Sequence, residues 1–283
     1  LYREEGPAFA FALNGSFAIA ICDKRDGSVA LIADRLSSRS LKYMVTERVA
    51  AFSSRLESFN HLGFQPTQKL NPEGLAEFLV FGRLLNTRMW EQVADVPPST
   101  VCVIRNGEVS AQKYCRIGFR YRDARHDLDE KTEELASSLK RACERSVLGF
   151  ERASLMLSGG ADSRAMLACL PENTVCYTSC DRLNFETRIA RKVARVKGSP
   201  HFLLKRSPTH YLDILPRASR LTEGAKEFHH AHFEGLIAGM KEAGEGVVLH
   251  GLGLDFILRG HYLPKVTFSL GGHMASPNIL KKC

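Results

Sequence analysis

Short apolar runs separated by turn residues fill the first part of the chain. Residues 17–22 form one such run, residues 23–27 a turn and residues 29–33 the returning run, which predicts a hairpin. Residues 41–45 and 49–52 predict a further strand pair around Thr46 and Glu47. Asn71-Pro72-Glu73 supplies an N-cap, a proline at the first helical position and an acidic first turn, so a helix over 75–81 that stops at Gly82 follows. Residues 101–105 and 108–115 flank Asn106-Gly107, the strongest short hairpin signal a sequence can carry. The chain opens at Leu1 with no turn or cap chemistry of its own. This part is predicted to be β-rich and mostly antiparallel.

From about Asp127 the period changes. Leu135, Leu139, Ala142 and Cys143 are spaced for one apolar helix face behind an acidic first turn. Residues 154–157, 174–179 and 201–205 are strand-length apolar runs, and helical patterns alternate with them, one over 185–196 closing at Lys197-Gly198. That alternation predicts a parallel, doubly wound sheet, so the fold class is α/β and α+β. Ligands of such sheets sit at the carboxyl ends of the strands, where Ser158 lies.

The stretch Leu155-Met-Leu-Ser-Gly-Gly-Ala-Asp-Ser-Arg164 reads as strand, tight turn, helix. Paired glycines let successive N–H groups and the helix N-terminus face one point, and the Ser158 and Ser163 hydroxyls can donate there too. Such a cup suits phosphate oxygens. It lacks the lysine of Gly-x-x-x-x-Gly-Lys-Ser/Thr and the spacing of Gly-x-Gly-x-x-Gly, which excludes both of those readings. An ordinary βα turn is the plain alternative.

Composition narrows the class. The 283 residues allow two modest domains, placed here at 1–120 and 121–283. A hydrophobic share of 44 % and a charged share of 25 % are those of a globular protein. With no signal peptide and no apolar stretch of membrane-spanning length, a cytoplasmic location without membrane contact is expected. The eight cysteines lie inside apolar patterns, and Cys176-x-x-x-Cys180 has no second pair, so reduced buried thiols are expected rather than disulfides or zinc. The net charge of +8 is spread along the chain, with one concentration at Arg116, Arg120, Arg122 and Arg125 that reads as a solvated linker. An anionic nucleotide suits this positive balance, and no nucleic-acid partner is expected.

The run Ser158-Gly-Gly-Ala-Asp-Ser163 resembles the Ser-Gly-Gly-x-Asp-Ser signature of the PP-loop ATP pyrophosphatases, which cleave ATP between the α and β phosphates. A second resemblance rests on Leu13-Asn-Gly-Ser-Phe-Ala-Ile-Ala20, Asp34-Arg35, Ala51-Phe-Ser-Ser54, Phe81-Gly82, Val96-Pro-Pro-Ser99 and Arg105-Asn-Gly107. These recur in the order seen in the class II amidotransferase domain of glutamine-dependent asparagine synthetases, where a PP-loop synthetase domain follows directly. The resemblance reaches to about Pro264. It implies the later part of an Ntn-type amidotransferase domain, then a PP-loop domain of the adenine nucleotide α-hydrolase-like kind.

Several positions depart from that family. Its glutaminase uses an N-terminal cysteine whose own amino group is the base; Leu1 has no thiol, so this chain as given is not expected to hydrolyse glutamine. Ser37-Ser-Arg-Ser40 stands where relatives usually have a glycine followed by a proline. In residues 246–262, a second glycine loop follows an apolar strand, and the family segment Ser-Gly-Glu-Gly-Ser-Asp-Glu is matched at Gly251, Gly253 and Asp255 but not at His250, Leu252, Leu254 and Phe256. Leu252 and Phe256 replace two carboxylates, the first being the family's candidate base for ammonia attack.

The resemblance implies ATP and Mg²⁺ as cofactors. Ser158, Gly159, Gly160 and Ser163 would cradle pyrophosphate, Leu157, Gly251 and Leu252 would flank the nucleotide, and Asp162 and Asp255 would hold the metal, with Asp255 also the candidate catalytic residue. The implied reaction forms a β-aspartyl adenylate, which ammonia, free or from glutamine, then opens. A homodimer is among the assemblies it allows. Two alternatives stay open: adenylation of another carboxylate, as in the β-lactam-forming relatives, and a non-catalytic nucleotide-binding module. Asp255 also reads as a plain N-cap. His229, His230 and His232 read as a solvated helix start, Glu186 as a dipole contact and Trp90 as core. Residues 265–283 show little apolar pattern, which predicts a loosely ordered end or the start of a further element.

Overall fold

In the computed structural model, which describes residues 1–47, 49–61, 69–82, 84, 87–116, 118, 128–223, 233–242, 246–253, 268–270 and 273–275, the chain divides into two units. One is Leu1–Arg122 with Leu215–Ala231, the other Asp123–Ile214 with His232–Cys283.

The first unit contains α1 (Tyr2–Glu5), β1 (Ala18–Asp23), β2 (Ser28–Ala33), β3 (Lys42–Val45), β4 (Ala50–Ser53), α2 (Pro72–Phe81), β5 (Ala94–Asp95), β6 (Thr100–Arg105) and β7 (Glu108–Lys113). A four-stranded sheet runs β1-β2-β6-β7 and a three-stranded one β4-β3-β5, every pair antiparallel. Asn106 and Gly107, at φ 52° and 81°, supply the two positive angles that a tight β6–β7 turn needs. Alternation sorts the side chains of β2 and β6. Leu31, Ala33, Cys102 and Ile104 meet Leu41 and Val96 in one cluster, while Ile32 and Val101 meet Phe9, Ala10 and Tyr114 in another. Helix α2 starts and stops where its caps predict: the Asn71 side chain accepts from Glu73 N, and Gly82 is left-handed.

Two expectations change here. The unsignalled opening is helical, with a 3-10 stretch at Gly6–Ala12 after α1, because Phe9 and Ala10 are buried against the sheet and packing overrides weak local preference. Strand β7 ends at Lys113, and Tyr114 instead turns inward, its hydroxyl donating to Ala33 O at 2.7 Å.

The second unit is built on α3 (Leu128–Val147), β8 (Ala153–Met156), α4 (Ala161–Cys169), β9 (Val175–Cys180), α5 (Phe185–Lys197), β10 (His201–Lys205), α6 (His210–Leu221), α7 (Ile237–Glu242) and β11 (Val247–His250). The boundary between the units falls within α6. The sheet order is β10-β9-β8-β11, all parallel. Leu155, Leu157 and Cys176 pack against Cys143 of α3, Met166 and Leu167 of α4, and Ala190 and Ala194 of α5; on the other face Val175 and Tyr177 meet Met240 of α7. Helices therefore cover both faces. The apolar stripe of α3 differs from the expected one: Leu139, Cys143 and Val147 face the core at i, i+4 spacing, whereas Ala142 is exposed and Leu135 is 46 % exposed. In the region after Pro264, where either a loose end or the start of an element is expected, β12 (Phe268–Leu270) and β13 (His273–Ala275) pair antiparallel. Among the described residues, no helix is long and apolar enough to cross a membrane.

Candidate functional site

The parallel sheet has one point where its winding reverses. From β8 the chain steps outward to β9 and β10, then returns to β11 on the other side of β8. Loops leaving the carboxyl ends of β8 and β11 therefore lie side by side, the position where doubly wound sheets form a crevice.

The first of these loops holds Ser158, Gly159 and Gly160. Leu157 is buried, and its N–H donates to Tyr177 O at 2.7 Å. Gly159 has φ 81°, and a Cβ there would lie 2.8 Å from Glu186 O and 3.2 Å from Ala190 N, so only glycine lets the turn press against the backbone of α5. Gly160 is the N-cap of α4 at φ −69°, with no side-chain cap. The hydroxyls are organised by the turn. Ser163 Oγ donates to Gly160 O at 3.2 Å, which commits its proton, so Ser158 Oγ is the donor across the 3.1 Å Ser158–Ser163 contact. Gly160 N donates to Ser158 Oγ at 3.3 Å.

The second loop meets the first through Gly251. A Cβ at Gly251 would lie 3.3 Å from Asp162 Cβ and 3.5 Å from Ser163 N, so this backbone rests on the first turn of α4. His250 Nδ1 accepts from Leu252 N at 3.3 Å, and Leu252 is 80 % exposed. The structure thus brings the turn of Leu157, Ser158, Gly159, Gly160, Asp162 and Ser163 against Gly251, with Leu252 exposed beside it. Asp255, Leu254 and Phe256 lie outside the described residues, as do Arg120, Arg122, Arg125, His229, His230 and His232.

Two residues at this site carried no sequence signal. Thr178 Oγ1 donates to Leu157 O at 2.5 Å and lies 2.8 Å from His201 Nε2. Burial, and then the Arg191 charge, hold His201 below its usual pKa. Their meeting depends on the register of β9 against β10, which no local pattern states.

In the first unit, Asp34 is the most heavily bonded of the residues that carry the resemblance. It is 2 % exposed and accepts from Phe17 N, Leu36 N, Ser38 N and the Ser38 hydroxyl at 2.6–3.1 Å. Burial pushes its carboxyl up, but the Ser38 hydroxyl and the three backbone donors together hold it below the usual carboxylate range. Ser37, beside it, takes a left-handed φ of 50°. Lys42 Nζ lies 2.6 Å from Asp95 and 3.0 Å from Glu223, whose other oxygen accepts from Leu56 N. Trp90 packs on the cluster of Met44, Leu56, Phe59 and Val93. The described cysteines are free thiols, and burial pushes Cys102, Cys143 and Cys176 up to about 11; Cys22, contrary to the expectation of burial, is exposed because its side chain leaves the outer strand β1.

Residues 1–115 match the family model of a glutamine amidotransferase domain, and residues 134–271 match that of asparagine synthase. No curated protein matches the chain.

Proposed function

Because the chain belongs to the asparagine synthetase family, whose architecture is an amidotransferase domain followed by an asparagine synthase domain, we propose that it is an ATP-dependent amide ligase. In this reading it activates aspartate as β-aspartyl-AMP, releases pyrophosphate and amidates the adenylate with ammonia. The observation that carries the reading is the meeting of two glycine loops over the first turn of α4, with Gly251 against Asp162 and Ser163.

Attack of a carboxylate on the α-phosphorus builds negative charge on the departing pyrophosphate. Donors already aimed at that charge lower the barrier without reorganising. The N–H groups that open α4 are such donors, the Ser158 and Ser163 hydroxyls would join them by turning from their bonds to each other and to Gly160 O, and the glycines let the phosphates approach the backbone. Leu157, Gly251 and Leu252 flank the nucleotide. Asp162 is half-buried beside Gly251, and its carboxylate is the hard oxygen donor that Mg²⁺ takes, so the residue fits a metal shared with phosphates. Bound there, Mg²⁺ would screen phosphate charge; Asp255 is proposed as its second protein ligand.

Calorimetry with Mg·ATP, on the parent and on Asp162→Ala, followed by pyrophosphate release with aspartate and ammonia, tests the proposal. Binding by the parent, lost in the variant, with pyrophosphate formed by the parent, is expected. A folded parent that binds no nucleotide would overturn it.

A further inference from the structure

Strand β8 leaves the ladder after Met156, and Leu157 is the last residue before the cup. Its N–H still bonds Tyr177 O, but its carbonyl takes a side-chain partner, the Thr178 hydroxyl at 2.5 Å. Leu157 is 1 % and Thr178 4 % exposed, so neither group has ready access to water. A threonine hydroxyl has one proton, and here it goes to Leu157 O. Towards His201, 2.8 Å away, the same oxygen can only accept, so His201 carries a proton on Nε2. The downward pull on His201 from burial and Arg191 favours the neutral ring, which leaves Nδ1 bare.

The next peptide links this relay to the cup. Among the described residues no peptide bond is cis, and a trans peptide is planar with its C=O and N–H opposed. Fixing the Leu157 carbonyl therefore fixes the direction of the Ser158 N–H, for which no described residue acts as acceptor. We infer that Thr178 and His201 are positioning residues of the cup. His201 Nε2–H orients the Thr178 hydroxyl, the hydroxyl holds the Leu157 carbonyl, and the rigid peptide then presents the Ser158 N–H to a phosphate oxygen of the nucleotide. The inference rests on the proposed function for the identity of the ligand, and it adds two residues from neighbouring strands to the site.

Thr178→Val keeps the branched shape and removes the hydroxyl; Thr178→Ser restores it. Mg·ATP affinity, measured by calorimetry well below each variant's unfolding temperature, is expected to fall about tenfold in Thr178→Val and to stay within about threefold of the parent in Thr178→Ser, in line with the loss and return of one oriented donor. A merely structural role would lower the unfolding temperature of Thr178→Val and leave the affinity unchanged. The ¹⁵N shifts of the His201 ring give a readout that needs no nucleotide: the Nε2–H tautomer in the parent, and loss of that preference in Thr178→Val. Parental affinity in Thr178→Val, or an Nδ1–H tautomer in the parent, would overturn the inference. A parent that binds no ATP, with the tautomer as expected, would overturn the proposed function and with it the relay's task at a phosphate, while leaving the hydrogen-bond geometry intact.

Discussion

Gly159 and Gly160 are adjacent in sequence but carry opposite loads, and one methyl at each separates architecture from ligand binding. At Gly159 an alanine must adopt φ 81°, which costs an L-residue about 1–2 kcal/mol. Its Cβ would also lie 2.8 Å from Glu186 O and 3.2 Å from Ala190 N, both backbone atoms of α5 that cannot swing aside, and forcing such a contact costs about 1–3 kcal/mol. The reduced freedom of the unfolded chain returns about 0.4–1 kcal/mol. The net expectation is a loss of about 2–4 kcal/mol, or roughly 3–7 °C for a chain of this size. Gly160 sits at φ −69°, and an added Cβ meets only the Ser158 hydroxyl, at 3.3 Å. Alanine is a poorer N-cap than glycine, which the same unfolded-state gain offsets, so stability should change by less than about 1 kcal/mol. The methyl would nevertheless crowd the rim where phosphate is proposed to approach, and Mg·ATP affinity should fall about tenfold, the effect of losing one good hydrogen bond. Differential scanning calorimetry and titration calorimetry on both variants read the two quantities separately. Parental stability in Gly159→Ala would refute the close-approach argument, and parental affinity in Gly160→Ala would refute the assignment of that glycine to the ligand.

Three further outcomes follow from the first unit. Asp34→Ala removes the buried acceptor of three backbone N–H groups and a hydroxyl, and because Leu36 and Ser38 are exposed, so that water can take up part of the loss, it should cost about 1–3 kcal/mol in urea unfolding. Because the folded pKa of Asp34 is depressed, its stabilisation is complete above the unfolded value of about 3.9 and is lost as pH falls through the folded one; an acid slope unchanged in Asp34→Asn would contradict this. Ser37→Gly relieves a left-handed serine at about 1–2 kcal/mol against an unfolded-state cost of about 0.4–1 kcal/mol, so a modest rise in melting temperature is expected, and a fall would count against the strain. Lys42→Met leaves the largely covered Glu223 without its cation, while the exposed Asp95 keeps its water, and should cost about 1–3 kcal/mol, whereas Arg55→Ala, which breaks only an exposed pair with Glu57, should cost less than about 1 kcal/mol; equal effects would sink the distinction by burial.

Where a local signal and the tertiary demand agree, the sequence is readable. Asn106-Gly107 marks its hairpin, Asn71-Pro72 and Gly82 bound α2, and Gly198 closes α5, because each is a nearest-neighbour preference of the backbone. The opening helix is not readable, since Phe9 and Ala10 are ordered by strands that come later in the chain. The face of α3 is only half readable: the spacing is right, but Leu135 and Ala142 point away because the neighbouring elements, not the period, decide which side is covered. The cup's residues could be named in advance because they are contiguous. The contact of Gly251 with Asp162 required the strand order, and the Thr178–His201 pair required the register of β9 on β10.

The reversal in strand order also has a kinetic consequence. Strands β8, β9 and β10 pair with neighbours one helix away, so this half of the sheet can close over short loops soon after it is synthesised. Strand β11 cannot. Val247 is the register partner of Ala153, and everything from α4 to α7 must be threaded before the two meet, at the entropic cost of a long loop. The Ser158 turn therefore forms early and the Gly251 turn later, so affinity for a ligand held by both should develop in refolding only with the slowest closure of this sheet.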